Sequence, residues 1–168
     1  MKPPQDSNEG CAPPAGGSPC AFLLAQVGAH AAWKFGERLA ELNVTPSLAG
    51  ILRLLAATPG ITQQALAGRI GSVPSRLVAL ADDLEARGLI ERRENSEDRR
   101  RYALHLTEKG RSTLAAIGRI AREHQRVLLA ALSADEQQTL ASLLQRIADE
   151  QGLARDVHPG YARRPPGQ

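Results

Sequence analysis

Aromatic side chains are scarce: one Trp, two Tyr and two Phe among 168 residues. Proteins that hold single-stranded nucleic acid stack its bases on aromatic rings. That mode is therefore excluded, and duplex DNA is the nucleic-acid partner left open. Cysteine is nearly absent too, with only Cys11 and Cys20. A disulfide framework is ruled out, and two reduced thiols in a cytoplasmic protein are expected. No apolar run approaches the about 18 residues needed to span a membrane. Residues 1–20, rich in Pro, Gly and Ser with no apolar run before Ala21, do not read as a signal peptide but as a disordered tail. Catalytic fingerprints are missing as well. There is no nucleophile elbow, P-loop or dinucleotide motif, so neither an enzyme nor a cofactor is predicted. His30, His105, His124 and His158 form no i, i+4 pair and have no cysteine near them in sequence, so no metal site is predicted.

What is present suffices for one core of ordinary size, since 42% of the residues are hydrophobic. The formal net charge is only +3 with a sequence pI near 9.2, so any DNA footprint has to be local. The local candidate is EDRRRYALHLTEKG, residues 97–110. A helix ends at Gly88, a strand starts at Leu89 and Ile90 and runs into Arg92 and Arg93, and a second strand follows the turn at Asn95 and Ser96. The hairpin is too small to bury much, and it makes sense as a basic wing able to lay guanidinium groups along phosphates or into a minor groove.

Apolar residues at spacings of three and four predict a first helix from Phe22 to Leu42, with Leu24, Val27, Ala31, Phe35 and Leu39 on its main stripe. A thinner stripe through Phe22, Ala29 and Trp33 suggests that this helix lies between two bodies, its own domain and a partner subunit. Thr45-Pro46 starts a second helix that ends near Pro59-Gly60, and Ile61 can form only a very short strand. Helices over 63–70 and about 73–87 follow, joined by a turn at Gly71-Ser72. Thr107 caps a helix reaching Leu132, and Ser133 to Glu136 is a capping box for the last one, which ends near Gln151-Gly152. Both carry more apolar surface than a small domain can cover. For the tail after residue 152, and for His158-Pro159-Gly160-Tyr161 in particular, the sequence offers no physical reason.

Helix, turn, helix, then hairpin is the winged helix-turn-helix order. The sequence resembles the MarR family of transcription regulators, whose most recognisable stretch is an Asp-x-Arg wing tip followed by Leu-Thr-x-x-Gly. Here those residues are Asp98, Arg100, Leu106, Thr107 and Gly110. The likeness extends over ITQQALAGRIGSVPSRLVALADDLEARGLIERR, with the Leu-Ala pair, the Pro-Ser opening and the Leu-Glu-x-x-Gly-Leu exit into the wing. It implies a mostly α fold with a β-hairpin wing. The organisation expected is a tail over 1–20, a helical dimerisation region over 21–44 and 107–152, a DNA-binding domain over 45–106, and an irregular tail over 153–168. It also implies a homodimer built from the first and last two helices, a repressor of duplex DNA, and a small aromatic or anionic effector.

On this reading Arg76 is placed to read a guanine edge, Ser75 to contact phosphate or water, and Ala79 lies beside them on the recognition helix. Arg99, Arg100 and Arg101 supply the wing contacts, with Asp98 holding Arg100 by a carboxylate-guanidinium pair. The family often has a basic residue where Ala79 and Asp83 stand, and Asp82 and Asp83 suggest that this half of the helix faces away from DNA. The effector pocket is expected between the dimerisation helices and the DNA-binding domain, with Trp33 and His30 as a wall and Arg53 to neutralise an anion. Two alternatives stand beside the effector-released repressor. One is a redox sensor using Cys20, since a branch of the family senses hydroperoxides through a cysteine near that place; the tyrosines of that branch's first helix are missing here. The other is a protein-interaction module that does not bind DNA.

Overall fold

The computed structural model describes residues 18–94, 102–154, 157 and 161. Six helices and one hairpin follow in the order α1 (Cys20–Ala40), α2 (Pro46–Ala57), α3 (Gln63–Ile70), α4 (Pro74–Ala86), β1 (Ile90–Glu94), β2 (Tyr102–Leu106), α5 (Glu108–Leu128) and α6 (Ala134–Glu150). Local chemistry sets most boundaries. The Thr45, Thr62 and Thr107 hydroxyls accept from the backbone N–H of Leu48, Ala65 and Gly110 at 3.2, 3.2 and 2.9 Å. Ser133 and Glu136 form the reciprocal capping box expected for α6. Between α3 and α4 the backbone turns through Gly71 at φ 64°, a left-handed conformation suited to glycine.

The core lies where α2, α3, α4 and the hairpin meet. Ile51, Leu52 and Leu55 of α2 pack with Leu66, Ile70, Leu77, Leu84 and Leu104, all essentially without solvent contact. Leu39 and Ile117 bring the end of α1 and the middle of α5 onto this core. The strands pair antiparallel from Ile90↔Leu106 to Glu94↔Tyr102. The short strand expected at Ile61 appears as one bridge, Thr62↔Ala103, supported by Leu104 N–H donating to the Ile61 carbonyl at 3.0 Å.

Three differences from the sequence expectations have physical causes. First, α1 starts at Cys20 and stops at Ala40, because Asn43 takes a positive φ of 53° and Val44 N–H returns to the Leu39 carbonyl. Second, α5 stops at Leu128 rather than Leu132, and residues 129–132 form turns in which Leu132 N–H donates to the Leu129 carbonyl. Third, the stripe of α1 is only half covered: Phe35 and Leu39 pack inward, whereas Leu24 and Val27 are exposed. Among the described residues, the first half of α1 has no neighbour deep enough to bury them.

Candidate nucleic-acid interface

The recognition helix presents one face to solvent. Leu77, Ala81 and Leu84 of α4 are buried and Leu80 is half-buried, leaving Ser75, Arg76, Val78 and Ala79 exposed on the opposite side of the first two turns. A helix buried along one stripe holds the other stripe in a fixed direction, which base reading requires. The three residues assigned to DNA reading on this helix therefore share its free face.

The acidic residues of α4 have a structural use. Arg92 of β1 pairs with both Asp82 and Glu85, and its side chain is only 17% exposed. Burial alone would lower the Arg92 pKa, but hydrogen bonds and charge from Asp82 and Glu85 outweigh it and raise the value further. Asp83 instead holds Arg87 at 2.8 Å, and Arg87 donates to the Asn43 carbonyl beyond α1. These carboxylates thus tie the recognition helix to the wing strand and to the α1–α2 link. Asp82 itself stays more than half exposed and, seven residues after Ser75, lies on the same face of α4.

The Leu-Thr-x-x-Gly stretch forms the joint behind the wing. Besides capping α5, the Thr107 hydroxyl donates to the Gly88 carbonyl at 2.7 Å, and Thr107 N–H donates to the Leu89 carbonyl at 3.1 Å. A Cβ on Gly110 would lie 1.9 Å from the Leu89 carbonyl oxygen, so only glycine allows α5 to approach the start of the hairpin this closely. Lys109 adds a bond from Nζ to the Arg87 carbonyl at 2.8 Å. Hairpin, recognition helix and α5 are in this way locked at one corner. Asp98, Arg99, Arg100 and Arg101 lie outside the described residues; the strands on either side run to Glu94 and from Tyr102.

The residues expected to form one ligand wall are not brought together. His30 and Trp33 are neighbours, with ring centroids 6.2 Å apart, and Lys34 Nζ sits 4.3 Å from the Trp33 ring centre. His30 lines a cavity of about 710 Å³ with Lys34, Arg38 and His124. Arg53 lines a different cavity, about 490 Å³, with Phe35, Gly50, Leu114, Ile117 and Val157. Trp33, more than half exposed, lines neither. The wheel arithmetic of α1 places Trp33 away from α2 and α5, which is why it cannot share a wall with Arg53.

From sequence no site role was expected for His124, which stood only among the four histidines, nor any for Tyr161. His124 lies 5.4 Å, centroid to centroid, from Phe35, and burial, Arg38 and His30 hold its pKa below the usual histidine value. Tyr161 is 1% exposed and belongs to the core. Its contact on α2 is Gly50, and a glycine inside an otherwise apolar helix is the one sequence signal that a close neighbour stands there. Cys20 is exposed as the first residue of α1 and borders an apolar groove of about 740 Å³ lined by Leu23, Leu24, Leu143, Leu144 and Ile147.

Known proteins share this arrangement. The MarR family pattern matches residues 44–102, from the link before α2 to the start of β2. A protein of Thauera aromatica assigned as a transcriptional regulator for the hcr operon is 40% identical over 105 residues, 62% of this chain and 63% of that protein. The Escherichia coli transcriptional regulator HosA is 31% identical over 105 residues, covering 62% of this chain and 78% of HosA. The chain thus spans less than two thirds of the first relative and more than three quarters of the second. Among solved structures, the transcriptional repressor CouR bound to a 23-mer DNA duplex superposes with a TM-score of 0.70 at 34% identity, over 77% of this chain and 92% of CouR. With its exposed recognition-helix face, its braced hairpin and these relatives, the chain belongs to the MarR family of winged helix-turn-helix transcriptional regulators.

Proposed function

We propose that the protein is a homodimeric repressor that binds a pseudo-palindromic operator with half-sites about one helical turn apart, and that a small aromatic or anionic effector releases it. The observation that carries this reading is the free face of α4, Ser75, Arg76 and Ala79, held rigid by the Arg92 pairs to Asp82 and Glu85. Arg76 reads a base edge, while Arg100, which lies in sequence between the two strands, contributes with Arg99 and Arg101 to backbone or minor-groove contact. CouR, similar over most of its length, supports the DNA partner by being seen on a duplex. The second subunit is supported by the unpartnered apolar faces of α1 and α6, where Phe22, Leu24, Val27, Leu143 and Ile147 are exposed. Arg53 beside its apolar cavity is the effector anchor this reading favours over the Trp33 and His30 side.

The test is a mobility shift against the gene's own upstream region at several salt concentrations. Arg76→Ala is expected to cost about 1–3 kcal/mol and relax preference at one base position, whereas Arg100→Ala weakens all sequences and lowers the salt slope by about one. Equal, sequence-independent losses from both would remove Arg76 from base reading. No salt-dependent shift at all would leave a protein-interaction module. A redox sensor would instead lose operator on peroxide treatment, and lose that response in Cys20→Ser.

A further inference from the structure

The free face of α4 carries one large apolar side chain. Val78 is 44% exposed, although its chain neighbour Leu77 and Ala81, three residues on, are each only 1% exposed. A β-branched residue is mildly disfavoured in a helix unless packing offsets it, and here the core does not use the side chain. With about 3.6 residues per turn, Ser75 and Ala79 lie along the middle of the free face, with Arg76 on one flank and Val78 on the other. Asp82 follows Val78 by one turn. Arg92 pairs with its carboxylate, so the negative charge beside Val78 is matched within the chain. Val78 and Ala79 are adjacent, and neither has a polar side-chain atom. They therefore offer no hydrogen bond to a base edge and no cation to a phosphate.

We propose that Val78 is a specificity-determining residue, reading a thymine in each operator half-site through its C5-methyl group. In the major groove every base edge presents polar atoms, and among the four bases thymine alone adds a methyl group. A branched apolar side chain gains by burying that methyl. Against cytosine, guanine or adenine it would cover donors and acceptors and leave them without partners. Arg76, on the opposite flank, reads by hydrogen bonds, whereas Val78 reads by apolar contact. Two chemistries on one helix thus discriminate two positions. The proposal rests on the DNA-binding reading above and makes it more specific: each half-site holds a thymine whose methyl group faces α4.

The probe is a duplex covering the gene's own upstream region, prepared once with thymine and once with uracil, and titrated with the full-length protein. Uracil lacks only the C5-methyl group and keeps every hydrogen-bonding atom in both grooves. Burying one methyl changes affinity about fourfold, so wild type is expected to prefer the thymine duplex by about that factor for each half-site. Replacing thymines singly should trace the effect to one position per half-site. Val78→Ala removes an exposed side chain and suits the helix better, so it should melt as wild type does. It should bind the thymine and uracil duplexes nearly equally. Arg76→Ala should bind both less tightly and keep the wild-type preference. If wild type binds the two duplexes equally, or if Val78→Ala keeps the full preference, the proposal falls while the regulator reading stands. If wild type shifts neither duplex at any salt concentration, the DNA-binding reading itself fails, and the role of Val78 fails with it.

Discussion

Two regions of this molecule carry the same apolar periodicity and bury it to opposite extents. In the body formed by α2, α3, α4 and the hairpin, Leu52, Leu66, Leu84 and Leu104 have no exposed surface. Along the first half of α1 and along α6, Leu24, Val27, Leu143, Leu144 and Ile147 face solvent, and α6 has no buried residue. The difference teaches that a helical stripe in a sequence announces a buried face without saying which molecule covers it. Short links force the elements of the body onto one another within one chain. The first half of α1 and the length of α6 lie outside that body, and among the described residues they border an open groove rather than a closed core.

The sharpest way to break the comparison is to cut equivalent leucines in the two regions. Leu52→Ala removes a fully buried side chain and is expected to cost ~2–5 kcal/mol in urea unfolding, independent of protein concentration. Leu144→Asp, in the groove of α1 and α6, should leave the far-UV spectrum unchanged and shift sedimentation from dimer to monomer. If Leu144→Asp sediments as wild type, the second region is not an interface.

Glycine sharpens the same contrast at a smaller scale. Gly110→Ala drives a methyl group into the Leu89 carbonyl and is expected to cost ~1–3 kcal/mol, with loss of hairpin protection in hydrogen exchange. At Gly118, also in α5, a Cβ would meet only the end of Arg122 at 3.5 Å. Gly118→Ala should therefore be neutral or add up to about 1 kcal/mol from helix propensity. Equal melting points for the two variants would show that the joint behind the wing is looser than its geometry requires.

The smallest effect lies where the regions meet, at His124 between α1 and α5. Its folded pKa is lowered, first by burial and then by Arg38 and His30. A histidine held neutral in the folded state contributes stability above its unfolded pKa, and that contribution is lost as pH falls through the depressed folded value. Unfolding free energy should thus decline as pH drops below about 6.5, and His124→Gln should flatten that part of the profile. An unchanged slope in the variant would assign the pH dependence to other groups.

Much of the interface was legible in sequence because it is local. Thr45, Thr62, Thr107 and Ser133 cap within their own helices, the Ser75 to Ala79 face follows from helical spacing, and Leu-Thr-x-x-Gly is one contiguous stretch. The ligand wall was not legible, since His30 and Arg53 sit on different helices whose rotation about their own axes depends on packing. Asp82 and Asp83 were expected to face away from DNA; the Asp83–Arg87 pair is an i, i+4 contact within reach of sequence, whereas the Asp82–Arg92 pair forms only when the strand folds back along α4.

By itself the sequence determined the order of helices and hairpin, the caps, the exposed face of α4 and the family, because each depends on residues within a few positions of one another. Tertiary structure alone decided that Gly110 is pressed against Leu89, that Arg92 is shared by Asp82 and Glu85, and that Tyr161 fills the slot over Gly50. Those contacts join residues up to a hundred or so positions apart, and no periodicity encodes a meeting at that distance. It is fixed only when the whole core closes and leaves space of one shape for one side chain.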